Sequence, residues 1–276
     1  MKKTKFLITV LLIILLSNQK ILACSILYYI DSISGKVFVV NNEDYWYNVD
    51  AFVKIEPKSK KEYARLWYGW DKFAQGGVNE KGLFFDAAVT PEQKKINGYG
   101  NPNSNLGDDI LANCSNVIEV LEYLEKRKIG LTKSHMIFGD KTGNAVVIEW
   151  VGGEKKLHWI KDNKLLITNF LLSDTTAGNY PCYRYESINK NIKELESTTK
   201  EINLLQIGNT FRNAVQPPKE IEKNKIGGTL YTSFINLSDM EFVLSYKLSS
   251  EKVLKLDLRK EFEKTKKQKL MLEDTK

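Results

Sequence analysis

The chain has 276 residues, 42% hydrophobic and 27% charged, which is enough apolar material for one large or two modest globular domains. Its formal charge of +7 sits at the ends: Lys2, Lys3, Lys5 and Lys20 supply four charges, and residues 259–276 hold seven basic against four acidic groups. The stretch between them is neutral, which excludes the basic footprint of a nucleic-acid binder.

Residues 1–23 read as a removable secretory signal. A Lys-rich start is followed by an apolar run from Phe6 to Leu16, a polar Ser17-Asn18-Gln19-Lys20 break, and Ile21-Leu22-Ala23 before a cysteine. The apolar run is too short to span a bilayer. A cut between Ala23 and Cys24 would leave a first residue carrying both a thiol and a free α-amine. In isolation these titrate near ~8.5 and ~7.7–8.0, so the amine can take the thiol's proton, giving a nucleophile with its own base. Ile-Leu-Ala-Cys also resembles a lipoprotein box, and a lipidated Cys24 would make the chain a membrane-anchored binding protein. Leu22 and the polar break weigh against that alternative, so export to the periplasm or beyond is the expectation.

Ser25 to Asp31 and Lys36 to Asn42 are β-branched and aromatic runs around Ser32-Ile33-Ser34-Gly35, a hairpin pattern. The returning arm brings Asn41 to Asp44 level with Cys24, where the Asp44 carboxylate can orient an amine. Tyr45-Trp46-Tyr47 and Leu66-Trp67-Tyr68-Gly69-Trp70 are aromatic clusters that leave room for an apolar acyl pocket. Asn79-Glu80-Lys81-Gly82 reads as a tight turn with Gly82 at positive φ, and residues 91–108 as a long loop that can rim a site.

Ser115 to Lys128 has helical spacing with Ser115 as N-cap. His135 to Gly139 and Ala145 to Val151 form a second hairpin, with His135 and His158 in structural places. Lys164 to Thr168 is a buried strand ending at Asn169, whose amide can donate to an oxyanion. Helices follow at 180–196 and near 200–213, then strands at Thr229–Leu237, Glu241–Lys247 and Lys252–Leu256. Beyond Arg259 the charged segment reads as a frayed tail or a short helix. Strands, then helices, then strands make an α+β layered fold. Three cysteines in an exported chain are compatible with one Cys114–Cys182 disulfide and a free Cys24. No Cys/His spacing suggests zinc.

Cys24 after its leader, Asn41-Asn42-Glu43-Asp44-Tyr45-Trp46, Gly76-Gly77-Val78-Asn79-Glu80-Lys81-Gly82-Leu83, Leu166-Ile167-Thr168-Asn169 and Pro181-Cys182-Tyr183-Arg184-Tyr185 occur in one order. Together they resemble the choloylglycine hydrolase and penicillin V acylase family of linear-amide hydrolases. The resemblance implies a four-layer αββα sandwich of the N-terminal nucleophile type over residues 24–258. It implies Cys24 as nucleophile, Asp44 holding the α-amine, Asn169 and the main-chain N–H near Val89 as oxyanion donors, and Arg184 as the active-site arginine. Asn41, Trp46 and Trp67 are the candidate substrate contacts. Bile-salt hydrolases carry arginine where this chain has Asn41, and the segment between Asn169 and Arg184 is shorter here. Both departures point to a different N-acyl amide. The implied reaction is hydrolysis through a thioester, with acyl transfer to an amine as its variant. It needs no cofactor and leaves a homo-oligomer open; membrane contact would come only through a lipidated Cys24.

Overall fold

The computed structural model describes residues 24–178, 180–198 and 201–275; the leader expected over residues 1–23 lies outside them. Two antiparallel sheets stack face to face, each with helices on its outer side. The inner sheet has seven strands. In it β10 (Lys164–Ile167), β1 (Ser25–Ile30), β2 (Val37–Trp46), β12 (Lys225–Asn236), β13 (Glu241–Tyr246) and β14 (Val253–Asp257) lie in that spatial order, and β11 (Lys219–Glu222) also pairs with β12. The outer sheet has eight. Its order is β15 (Gln268–Met271), β3 (Phe52–Glu56), β4 (Arg65–Gly69), β5 (Gly76–Asn79), β6 (Leu83–Val89), β7 (Ser134–Asp140), β8 (Ala145–Val151) and β9 (Glu154–Trp159).

Strand alternation divides the apolar residues among three layers. Ile26, Tyr28, Val39, Leu66, Tyr68, Phe84 and Val147 meet between the sheets. Trp67, Phe85, Phe138 and Ile148 turn outward onto α1 (Leu106–Asn113) and α2 (Val117–Lys126). Leu27, Tyr29, Phe38 and Val40 pack under α3 (Tyr183–Thr198) and α4 (Leu204–Asn209). The result is the four-layer αββα sandwich.

Both expected hairpins form, and Gly82 turns β5 into β6 at φ +80°. Several local expectations are corrected. The N-cap of α2 is Asn116, whose side chain accepts from the Glu119 N–H, rather than Ser115. The loop expected over 91–108 ends early, because Leu106, Ile110 and Leu111 pack as a helix against the outer sheet. Of the frayed tail or short helix expected beyond Arg259, the short helix forms, and a strand follows it. Leu258 and Phe262 anchor α5 (Leu258–Glu263) in the inter-sheet core, and β15 then pairs with β3. Cys114 and Cys182 are free, buried in opposite outer layers, so no disulfide joins them.

Candidate active site

The site forms where β1 begins. In the β1–β2 ladder Ser25 pairs with Asn42, which puts Glu43 directly across from Cys24 on the same face. The Cys24 thiol donates to Glu43 Oε1 at 3.0 Å. Burial pushes this thiol well above its ordinary range, and the Glu43 charge adds to the effect.

Asp44, one residue on, turns its side chain to the other face. A bulge in β12 assists: Thr229 pairs with Asp44 while Tyr231 pairs with Glu43, so consecutive β2 residues each gain a partner. Thr229 Oγ1 donates to Asp44 Oδ1 at 2.6 Å. Asp44 Oδ2 lies 4.0 Å from Arg184 Nη1 and has no hydrogen-bond partner among the described residues. Burial pushes the Asp44 carboxyl up to about 7, against the pull of Thr229 and Arg184.

Arg184 enters from the first turn of α3, and its guanidinium ties the site together. Nη1 donates to the Cys24 carbonyl at 2.6 Å and to Ser25 Oγ at 2.9 Å, and Nη2 donates to Asn169 Oδ1 at 3.0 Å. With its oxygen so held, Asn169 aims its amide nitrogen at the Val89 carbonyl, 2.8 Å away. Val89, at the end of β6, is 58% exposed and marks the mouth of the site. Cys24, Asp44, Asn169, Arg184 and the Val89 main chain are thus brought together from five separate segments.

The candidate substrate contacts fare differently. Trp67 faces away from Cys24, packing edge-on against Phe52 under the outer helices, because alternation along β4 sends Trp67 out and Tyr68 in. Asn41 is wholly buried and holds Glu43 instead of facing a cleft. Trp46 is half-buried at the end of β2, with the Lys225 ammonium over its ring. The aromatics on the Cys24 side are Tyr45, stacked on Trp70 at 4.0 Å, and Tyr231 beyond them.

Sequence reasoning missed a clamp on the Asn169 loop. His135 reaches the Thr168 carbonyl through Nε2 (2.8 Å) and Glu149 through Nδ1 (2.9 Å). Glu149 also accepts the N–H groups of Leu172 and Ser173 and meets His158 Nε2 at 3.2 Å. Burial alone would raise Glu149, but its hydrogen bonds from His135, His158 and Ser173 outweigh it and hold the carboxyl well below its usual range. Only the 168–173 chain, returning over the outer sheet, makes these two histidines meaningful. Glu149→Ala leaves two N–H groups and the Nδ1 of buried His135 unpartnered, and a loss of about 3–5 kcal/mol is expected in urea unfolding.

Residues 33–247 match the family model described as Acyl-coenzyme A:6-aminopenicillanic acid acyl-transferase. No curated protein gives a significant match. Among solved structures, a point variant of conjugated bile acid hydrolase from Clostridium perfringens superposes with a TM-score of 0.70 at 17% identity, covering 89% of this chain and 96% of that one. Penicillin V acylase from Agrobacterium tumefaciens gives 0.69 at 16%, covering 89% and 90%. At these identities the likeness is one of fold, that of the N-terminal nucleophile hydrolases. The family match spans well over half of the sequence, and this chain belongs to the acyl-coenzyme A:6-aminopenicillanic acid acyl-transferase family.

Proposed function

We propose that this is an exported cysteine amidohydrolase acting on a linear N-acyl amide, with residues 1–23 removed so that Cys24 becomes the first residue. The carrying observation is the single guanidinium of Arg184, which holds the Cys24 carbonyl, the Asn169 amide and the neighbourhood of Asp44 in one cluster. In the uncut chain the Cys24 nitrogen is an amide and cannot act as a base. Once cut, it becomes an amine, and Asp44 Oδ2, a carboxylate oxygen with no hydrogen-bond partner among the described residues, is its proposed partner.

The thiol then loses its proton to that amine, and sulfur attacks the amide carbon. Asn169 Nδ2 has a second hydrogen for the resulting oxyanion, and the main-chain N–H of Val89 supplies the other donor. The ammonium returns the proton to the departing amine, and water cleaves the thioester. The stacked Tyr45 and Trp70 suit an apolar acyl group.

The test is mass spectrometry of the exported protein. Its N-terminus is expected at Cys24, and a rapidly quenched reaction with an N-acyl amide is expected to show one acyl mass on the Cys24 peptide. A retained leader in active protein, or turnover with no acyl adduct under any quench, would refute the reading. The family match gives an acyltransferase variant specific support. Adding an amine acceptor distinguishes it, since a transferase diverts acyl product into a new amide at the expense of free acid. A diacylglyceryl mass on Cys24 would instead favour a lipid-anchored binding protein.

A further inference from the structure

Behind the nucleophile lies a buried polar chain that the proposed mechanism does not use. Glu43, 4% exposed, accepts the Cys24 thiol on Oε1 and the Asn41 amide on Oε2 at 3.4 Å. Asp86, fully buried on the facing sheet, lies near enough for the Asn41 amide to ease its charge and for Glu43 to oppose it. Asp86 Oδ2 accepts the Tyr68 hydroxyl at 3.0 Å and Oδ1 accepts the Ala87 N–H at 2.8 Å; Tyr68 in turn receives the Ser233 hydroxyl at 3.2 Å. Gly76 makes the room: a Cβ there would stand 2.3 Å from Asp86 Oδ2 and 2.5 Å from the Tyr68 oxygen.

The charged and titratable groups around this chain are few. Facing the thiol are Glu43, Asp44 and Tyr231; facing the two carboxyls are Tyr68 and Tyr231. No lysine or arginine pairs with Glu43 or Asp86 among the described residues, and Arg184 bonds the Cys24 carbonyl on the Asp44 side. Two carboxyls close together, out of water and without a cation, resist double ionisation. Burial pushes both upward, Glu43 to about 7. The pair therefore keeps a proton at neutral pH and presents one negative charge to the thiol. This is the reverse of the electropositive setting that activates a cysteine.

We propose that Glu43 is a positioning residue for the nucleophile: held by the Asn41 amide with Asp86 close behind, it fixes the thiol's hydrogen bond and keeps Cys24 protonated at rest. The proposal rests on the reading of Cys24 as nucleophile, but it is tested on the thiol itself and not on turnover.

The experiment follows iodoacetamide alkylation of Cys24 against pH in the protein as expressed, with its N-terminus recorded by intact mass. Peptide mass spectrometry quantifies the product, and Cys114 and Cys182 serve as internal controls. Glu43→Gln is expected to lower the Cys24 midpoint by about one pH unit, which is roughly tenfold faster alkylation below the midpoint, with the controls unmoved. Asp86→Asn leaves Glu43 as the sole charge and is expected not to lower it. An unchanged midpoint in Glu43→Gln, or an equal drop in Asp86→Asn, overturns the proposal. Where Glu43→Gln does not fold, infrared spectroscopy of the unmodified protein decides. The Cys24 S–H stretch, assigned by its loss in Cys24→Ala, is expected at lower frequency than those of Cys114 and Cys182, and coincidence of the three overturns the proposal.

Discussion

Cys24→Ala is expected to reduce N-acyl amide turnover by roughly 10⁵-fold or more, since residues that act as one unit with a covalent nucleophile lose nearly everything when the nucleophile goes. The substitution removes one buried sulfur and one hydrogen bond, to Glu43. Glu43 can meet that loss by holding its own proton, so the melting temperature is expected to stay within a few degrees. Cys24→Ser keeps the α-amine and the geometry but offers a far less acidic hydroxyl, so a small residual rate is expected above the alanine level. The measurement is single-turnover product formation on protein whose first residue is verified by mass. Wild-type rates in both variants would dispose of the cysteine mechanism, whatever the substrate.

Arg184→Ala should be the most damaging substitution that leaves the reacting atoms in place. It strands the Asp44 carboxyl, the Cys24 carbonyl and Asn169 Oδ1 together in a buried site. Breaking one side of a buried charged cluster costs about 3–5 kcal/mol, and an unanchored Asn169 adds a rate loss on the order of 10²–10³.

The pH dependence has a definite sign. The Asp44 carboxyl is already raised to about 7 in the folded chain, so the folded state holds a proton that the unfolded state releases above about pH 4. The stability this group contributes is present below pH 4 and is lost as pH rises through 7. Without Arg184 the carboxyl is raised further, so the deficit of Arg184→Ala relative to the wild type is expected to be larger at pH 8 than at pH 5. Urea midpoints at constant slope measure it. Arg184→Lys keeps a charge but not the fork that reaches three acceptors. It is expected to recover part of the stability and little of the rate. A lysine variant with the wild-type rate would mean that Asn169 is aligned by Val89 and the 168–173 clamp alone.

Patterns with a short period or a fixed order were legible in the chain itself. Alternation marked β1, β2, β7 and β8, turn chemistry marked Gly82, and the order of motifs from Cys24 to Arg184 pointed to the sandwich and to five groups that do converge. What went astray needed knowledge of which face a strand turns where. Trp67 and Trp70 belong to one aromatic cluster, yet the pleat of β4 sends Trp67 under the outer helices and leaves Trp70 stacked on Tyr45. Glu43 stood in plain view beside Asp44, but its place across from the thiol depends on the β1–β2 register. Asp86 finds Tyr68 across β5 and His135 finds Glu149 across the β7–β8 pair, and the two last reach the Asn169 loop only when the 168–173 segment folds back over the outer sheet. Amino-acid order determined the strands, the turns and the order of the motifs from Cys24 to Arg184, because those follow from local sterics and chemistry. Tertiary structure alone decided which carboxyl meets the sulfur, since that choice is made by contacts across strands and between sheets that no local pattern encodes.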